Sequence, residues 1–169
     1  MWLSPRHLLA LFHLIAGGIL LGYSFFFFYK AFIQKTLIPL SSTLHIFLTA
    51  ISWSLVISGV WYLSPWFTSQ RISNPLYSPG KFLLSHPQTA EWYRLGLSWK
   101  ENISWVCAFI CTFYLYISLT TTQKALQEPS VKKALSITSL ILFISTLVSV
   151  LLGSGLAKIA PNLYLHLGS

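Results

Sequence analysis

The chain has 169 residues, of which 54% are hydrophobic, 16% aromatic and only 8% charged, with a formal net charge of +8. Lysines and arginines stand singly or in pairs at the ends of apolar runs, where they snorkel toward phosphate headgroups. No basic stripe with interleaved stacking aromatics is present, so the positive charge points to a lipid bilayer as partner and not to nucleic acid.

Taken in chain order, the first element follows Ser4-Pro5, an N-cap with proline at the first helical position, and runs apolar from Leu8 to Tyr29. Arg6 before this run gives it the look of a signal peptide, but it is too long for a signal h-region and lacks a cleavage pattern. It reads as an uncleaved first span. A short connection, Lys30–Thr43, ends in Ser41-Ser42-Thr43 and leads to the second apolar run, Leu44–Leu63, which Pro65 follows. The next connection, from Ser64 to Lys100, is the long one. It opens with turn residues over Asn74–Gly80 and then offers a capping pattern at Ser85-His86-Pro87-Gln88. The spacing predicts a short helix over about 86–96, ending at Gly96. Its Trp92, Tyr93 and Leu95, with Trp99 beyond, favour the membrane–water boundary, so it is expected to lie in the interface and meet the third span at an elbow. Ser98-Trp99-Lys100-Glu101 has the form of a capping box ahead of the third run, Asn102–Thr122. A short connection, Gln123–Lys133, precedes the fourth run, Ala134–Ala157, with Ser130 after Pro129 as its cap and Pro161 beyond its end.

None of the four runs contains Asp, Glu, Lys or Arg. Each is long enough to cross a hydrocarbon core of ~30 Å as a helix. In lipid the backbone must satisfy its own hydrogen bonds, so these runs are helices; the short alternating strands of a membrane barrel are absent. The expected fold is an all-α membrane protein, a single domain over 1–169 forming a four-helix transmembrane bundle with one interfacial amphipathic helix. The N-terminus, second connection and C-terminus then share one face, side A, with Arg6, Arg71, Lys81, Arg94, Lys100 and Lys158. Side B carries Lys30, Lys35, Lys124, Lys132 and Lys133. The denser lysines of the short side-B loops tilt side B toward the cytoplasm. Small residues mark one packing seam per span: Gly18/Gly22, Ala50/Ser54/Ser58, Ala108/Thr112 and Ser145/Ser149/Gly153. For Gly18 and Gly22, packing within the chain is preferred over a dimer contact.

Chemistry centres on the histidines. His13 lies inside the first span, where an imidazole is costly unless partnered. Gly17 is one turn later on the same face and would let a planar macrocycle come close. Haem iron takes axial His readily. Two readings stand for His13: ligand to haem iron, or a hydrogen bond to Ser or Tyr on a neighbouring span. His7, His86 and His166 share side A with it and are its candidate partners in a cofactor site; His45 is near side B, most of a bilayer away. His7 and His13 point about 120° apart on one helix, so they do not chelate together. Cys107 and Cys111 share a helical face, which suits copper(I) or, by preference, plain packing. No acid lies within a span, so an ion or proton path lacks its usual residues. No zinc-protease helix, nucleophile elbow, P-loop or dinucleotide fingerprint is present, and whether the chain is an enzyme stays open.

The segment from His7 through His13, Gly17 and Gly18 to Gly22, with Ser58-Gly59 in the second span and Lys100 leading into the third, resembles the copper-resistance D family and related small membrane families. That superfamily includes haem-associated proteins such as the bacterial membrane protoporphyrinogen oxidase. The resemblance implies a four-span plan and a haem-associated role carried by His13. The single methionine leaves out the Met/His-rich ligand sets of a copper carrier. The leading expectation is a haem b-binding or redox-associated membrane protein, a possible subunit of an electron-transfer complex. The alternative is a cofactor-free accessory or assembly subunit packed against other membrane subunits. A small-solute or metal transporter comes third. The expected site is the bacterial inner membrane or an organelle membrane.

Overall fold

The computed structural model describes residues 5–34, 41–65, 83–122 and 125–167, with the backbone alone given for 5–7 and 156–167. The turn residues expected over 74–80 and the side chains of His7 and His166 lie outside what is described. Four helices are α1 (Pro5–Phe28), α2 (Ser42–Ile57), α3 (Pro87–Thr120) and α4 (Pro129–Leu167). A wider π-helical stretch extends α1 over Tyr29–Ile33 and another extends α2 over Ser58–Leu63. The stretches Leu8–Ile33, Ser42–Leu63, Pro87–Thr120 and Pro129–Gly155 are each long and apolar enough to cross a membrane. The chain is thus a multi-pass, all-helical membrane protein, and there is no strand among the described residues.

α1 packs on α2 and α4, and α3 packs on α2 and α4, so the helices follow one another around the bundle. The core takes Ala16, Leu20 and Phe27 from α1, Leu48 and Ile51 from α2, Cys107, Cys111 and Tyr114 from α3, and Leu135 and Leu142 from α4. The two cysteines are free and buried within this core, as packing residues would be.

The segment from Pro87 is helical, as its sequence predicts, but it neither stops at Gly96 nor bends into a separate elbow. His86 is the extended residue ahead of the helix, Pro87 occupies its first turn, and α3 runs unbroken to Thr120. A glycine inside a helix costs only about 1 kcal/mol, too little to break one that is packed at both ends. Ser98 caps nothing, because the preceding turn already satisfies the local N–H groups; its hydroxyl accepts from the Asn102 amide at 3.4 Å. α3 therefore rises about 50 Å, well beyond the ~30 Å hydrocarbon core. α4 is similarly long and continues past Pro161 to Leu167.

Bonds between helices tie the bundle at several levels. Ser24 Oγ meets Thr146 Oγ1 at 2.7 Å, Thr49 donates to the Cys111 carbonyl at 3.0 Å, and Trp53 Nε1 donates to Thr112 Oγ1 at 3.0 Å. Tyr114 donates to the Leu135 carbonyl at 2.9 Å. The expected small-residue seams hold in part. Ala108 is fully buried and Ser149 and Gly153 face α3, but Ala50 is exposed. Gly18 and Gly22 are exposed too, with nothing within 4 Å of the position a Cβ would take, which corrects the expectation of an intrachain seam there. α1 instead turns Ala16, Leu20, Ser24 and Phe27 inward.

Two substitutions test this arrangement. Ala108→Leu overpacks a fully enclosed position and should lower stability by roughly 1–3 kcal/mol. Gly22→Leu enters open space and should change it by no more than about 0.5 kcal/mol. Unfolding titrations in mixed micelles measure both, and a larger loss from Gly22→Leu would mean that α1 is rotated from the orientation described.

Candidate functional site

The side-A half of the bundle gathers polar groups from all four helices. His13 of α1 sits half-buried with Nδ1 2.9 Å from Ser58 Oγ, at the start of the π-helical end of α2. Ser58 Oγ itself donates to the Leu55 carbonyl at 3.3 Å. With the Ser58 proton on the Leu55 carbonyl, His13 Nδ1–H donates to Ser58 and Nε2 keeps its lone pair; with that proton on Nδ1, Nε2 carries the hydrogen.

Gly59 explains how the ring fits. A Cβ at this position would lie 3.1 Å from His13 Cε1 and 3.8 Å from Nε2, so only a glycine lets the imidazole lie this close to α2. The wider winding that begins at Ser58 is the kind of helix irregularity often found at functional sites. Gly17, one turn along α1 from His13, has no atom within 4 Å of its would-be Cβ.

From α3 and α4 come a cation and two hydroxyls. The stem of Lys100 lies on Gly153, with Cε 3.5 Å from where a Cβ would stand, and its charge is within electrostatic range of His13. Glu101 is within electrostatic range of Lys100, but no carboxylate forms an ion pair with the amine among the described residues. One turn deeper, Ser104 Oγ meets Ser149 Oγ at 3.1 Å and donates to the Lys100 carbonyl at 2.7 Å.

The other expected histidines are placed differently. His86 precedes the first turn of α3, about 20 Å along the helix from Lys100, and its Nδ1 is 3.1 Å from Ser85 Oγ. It does not join the His13 cluster. His45 lies at the opposite end of the bundle, 1% exposed, its ring stacked on Phe27 at 5.6 Å and tilted against Tyr114 at 5.8 Å. Its Nδ1 donates to the Ser41 carbonyl at 2.8 Å, while Nε2 is buried without a hydrogen-bond partner. The aromatic wall leaves no room for a macrocycle there. No cluster of three or more His, Cys, Asp or Glu suited to a metal ion occurs among the described residues.

Sequence reasoning singled out His13 and Gly17. Of its two readings for His13, a hydrogen bond to Ser or Tyr on a neighbouring span is what the structure displays, with Ser58 as the serine; that Gly59 contacts the ring was not foreseen. Ser58 had entered as a seam residue and, with Gly59, through the family resemblance; the signal was present in the adjacency of a hydroxyl and a glycine on one helical turn. No family model, curated protein or solved structure matches the chain.

The tautomer is directly testable. In a nitrogen-15 imidazole spectrum at neutral pH, His13 should be protonated at Nδ1, and Ser58→Ala should shift that signal while leaving His45 in place. Nδ1 and Nε2 signals in the reverse assignment would make Ser58 the donor and Nε2 the protonated nitrogen.

Proposed function

We propose that the protein binds haem b within the membrane, with His13 Nε2 as an axial ligand, and acts in a redox or haem-associated reaction, alone or as a subunit of an electron-transfer complex. The carrying observation is the held imidazole: His13 Nδ1 lies 2.9 Å from Ser58 Oγ, and Gly59 lets the ring lie close against α2. Metal-ligating histidines characteristically donate their other ring N–H to a neighbouring acceptor. The donor set fits one axial imidazole on iron. A bound haem would supply one-electron chemistry, while Ser58 and Gly59 orient the imidazole and the bundle wall excludes water. The intramembrane position of His13 and the resemblance of the His13–Gly22 segment to haem-associated membrane families favour the same reading. The bacterial inner membrane or an organelle membrane is the proposed setting.

An optical spectrum of the purified, reduced protein tests this. A Soret band is expected; His13→Ala should abolish it, and Ser58→Ala should weaken haem affinity by roughly 10–100-fold through loss of the orienting contact. His45→Ala should keep the band and lower only stability. Absence of the band from the wild-type protein, or its full retention in His13→Ala, would sink the proposal.

One observation favours a second reading, an accessory subunit held against another membrane protein. Gly18 and Gly22 present bare backbone outward, and small residues four apart let a partner helix approach closely. On that reading, Gly18→Leu or Gly22→Leu should release a co-purifying membrane subunit without unfolding the chain. Unchanged co-purification of every membrane partner would count against it.

A further inference from the structure

One charge beside His13 has no counterpart in the chain. Lys100 of α3 lies on Gly153 of α4, where an added Cβ would stand 3.5 Å from Cε and 3.9 Å from Nζ. The side chain is half-buried, and its charge is within electrostatic range of His13 on α1. The chain has three acidic side chains, Glu91, Glu101 and Glu128. Glu101 is within electrostatic range of the amine but forms no ion pair with it among the described residues. Glu91 is about 14 Å away along α3, and Glu128 precedes α4 at the opposite end of the bundle. The nearby hydroxyls are taken: Ser104 donates to the Lys100 carbonyl and meets Ser149, while Ser58 pairs with His13.

Depth decides what can answer this charge. From Lys100 to the end of α3 at Thr120 the helix rises about 30 Å, the thickness of the hydrocarbon core. Lys100 therefore stands at the side-A boundary. His13 lies about 7–8 Å inside the start of its own apolar run at Leu8. An amine held between helices at this level is costly without a counter-charge. Haem is an amphiphile of matching plan, with iron at the centre of an apolar ring and both carboxylates on one edge. With the ring in hydrocarbon and His13 on the iron, the charged edge belongs at the level of Lys100.

We infer that Lys100 holds a haem propionate and so orients the macrocycle with its carboxylate edge toward side A. This role rests on the haem reading of His13 and adds to it the direction of the ring and the group that fixes it. Lys100 binds the carboxylate and does no chemistry at the iron.

The test titrates the full chain, stripped of haem and held in phosphatidylcholine nanodiscs, with two ligands. One is iron protoporphyrin IX; the other is its dimethyl ester, which keeps the ring and the iron but has no free carboxylate. Growth of the Soret band gives both affinities, and the ratio of diacid to diester affinity is the quantity compared. Lys100→Gln and Lys100→Met should each lower that ratio about fivefold relative to wild type, the scale of one lysine against an anion at a membrane surface. Neither should change the diester affinity or the Soret position, since His13 still ligates the iron. Lys100→Arg should keep the ratio. Arg94→Gln should keep it too, because Arg94 is exposed and six residues from Lys100, on another face of α3. Far-ultraviolet circular dichroism and gel filtration confirm that each variant is folded. A ratio unaltered by Lys100→Gln and Lys100→Met overturns the inference and leaves the amine to a lipid phosphate. Equal loss of both ligands overturns it as well, since that is a packing effect, and so does an equal drop with Arg94→Gln, which is diffuse attraction. In each of those outcomes the wild-type Soret band still upholds haem binding. A wild-type chain that gives no Soret band with either ligand defeats both readings.

Discussion

Everything in this structure depends on one constraint: inside hydrocarbon, a polar atom must find its partner within the protein. Helices satisfy the backbone by construction, and the side chains follow the same rule in two ways. Many of the serines and threonines turn back onto carbonyls of their own helix, as Ser54 does to Ala50, Ser118 to Leu115 and Thr138 to Ala134. A smaller set reaches across, and these residues hold the bundle in register: Ser24 with Thr146, Thr49 with the Cys111 carbonyl, Tyr114 with the Leu135 carbonyl, Ser104 with Ser149. Each such bond averages only about 0.6 kcal/mol in membrane proteins. Their contribution lies in which helices meet and at what rotation, because apolar faces alone do not distinguish a neighbouring helix from a lipid tail.

The two intramembrane histidines show how the same constraint yields different chemistry. Both hold Nδ1 against an oxygen, His45 donating to the Ser41 carbonyl one turn away and His13 paired with the Ser58 hydroxyl on another helix. The difference lies around Nε2. At His45 the aromatic rings of Phe27 and Tyr114 close over the imidazole and leave its second nitrogen unpaired, a destabilising arrangement kept in place by the packing around it. At His13 the ring lies against Ser58 and Gly59, and no aromatic ring stacks on it among the described residues. A ligand needs the second arrangement. The identity of the residue says little until the size of its neighbours is known.

That contrast also explains what could be read from the sequence and what could not. The four spans were legible because length and absence of charge are properties of single segments, and Leu44–Leu63 differs from the observed stretch Ser42–Leu63 by one turn or less. The continuity of α3 ahead of the third apolar run was not legible because Gly96 and Ser98 carry local stop and start signals, each worth about 1 kcal/mol. Packing and helix continuity along α3 outweigh them. The seams were harder. Gly18 and Gly22 match a packing pattern but face outward, whereas α1 buries Ala16, Leu20, Ser24 and Phe27. A helix with apolar residues on every face gives no amphipathic signal to fix its rotation in lipid. The partnership of His13 with Ser58 depends on that rotation for two helices at once, so one segment read alone could not reveal it.

The location of the charged and polar cluster follows from the lengths of the helices. α2 with its π-helical end barely spans a bilayer, while α3 and α4 outrun it. Near the end of α2, where the helix widens over Ser58–Leu63, the backbone shifts from four-residue to five-residue spacing; the Ser64 N–H reaches the Gly59 carbonyl. The shift brings a hydroxyl and a glycine against His13 at the depth where Lys100 can still carry its charge. Deeper in the bundle, a free amine would be too costly to hold. Farther out, an imidazole would be hydrated and weakly oriented. The boundary of the membrane is thus a level at which a held histidine and a charged lysine can stand within electrostatic range of each other.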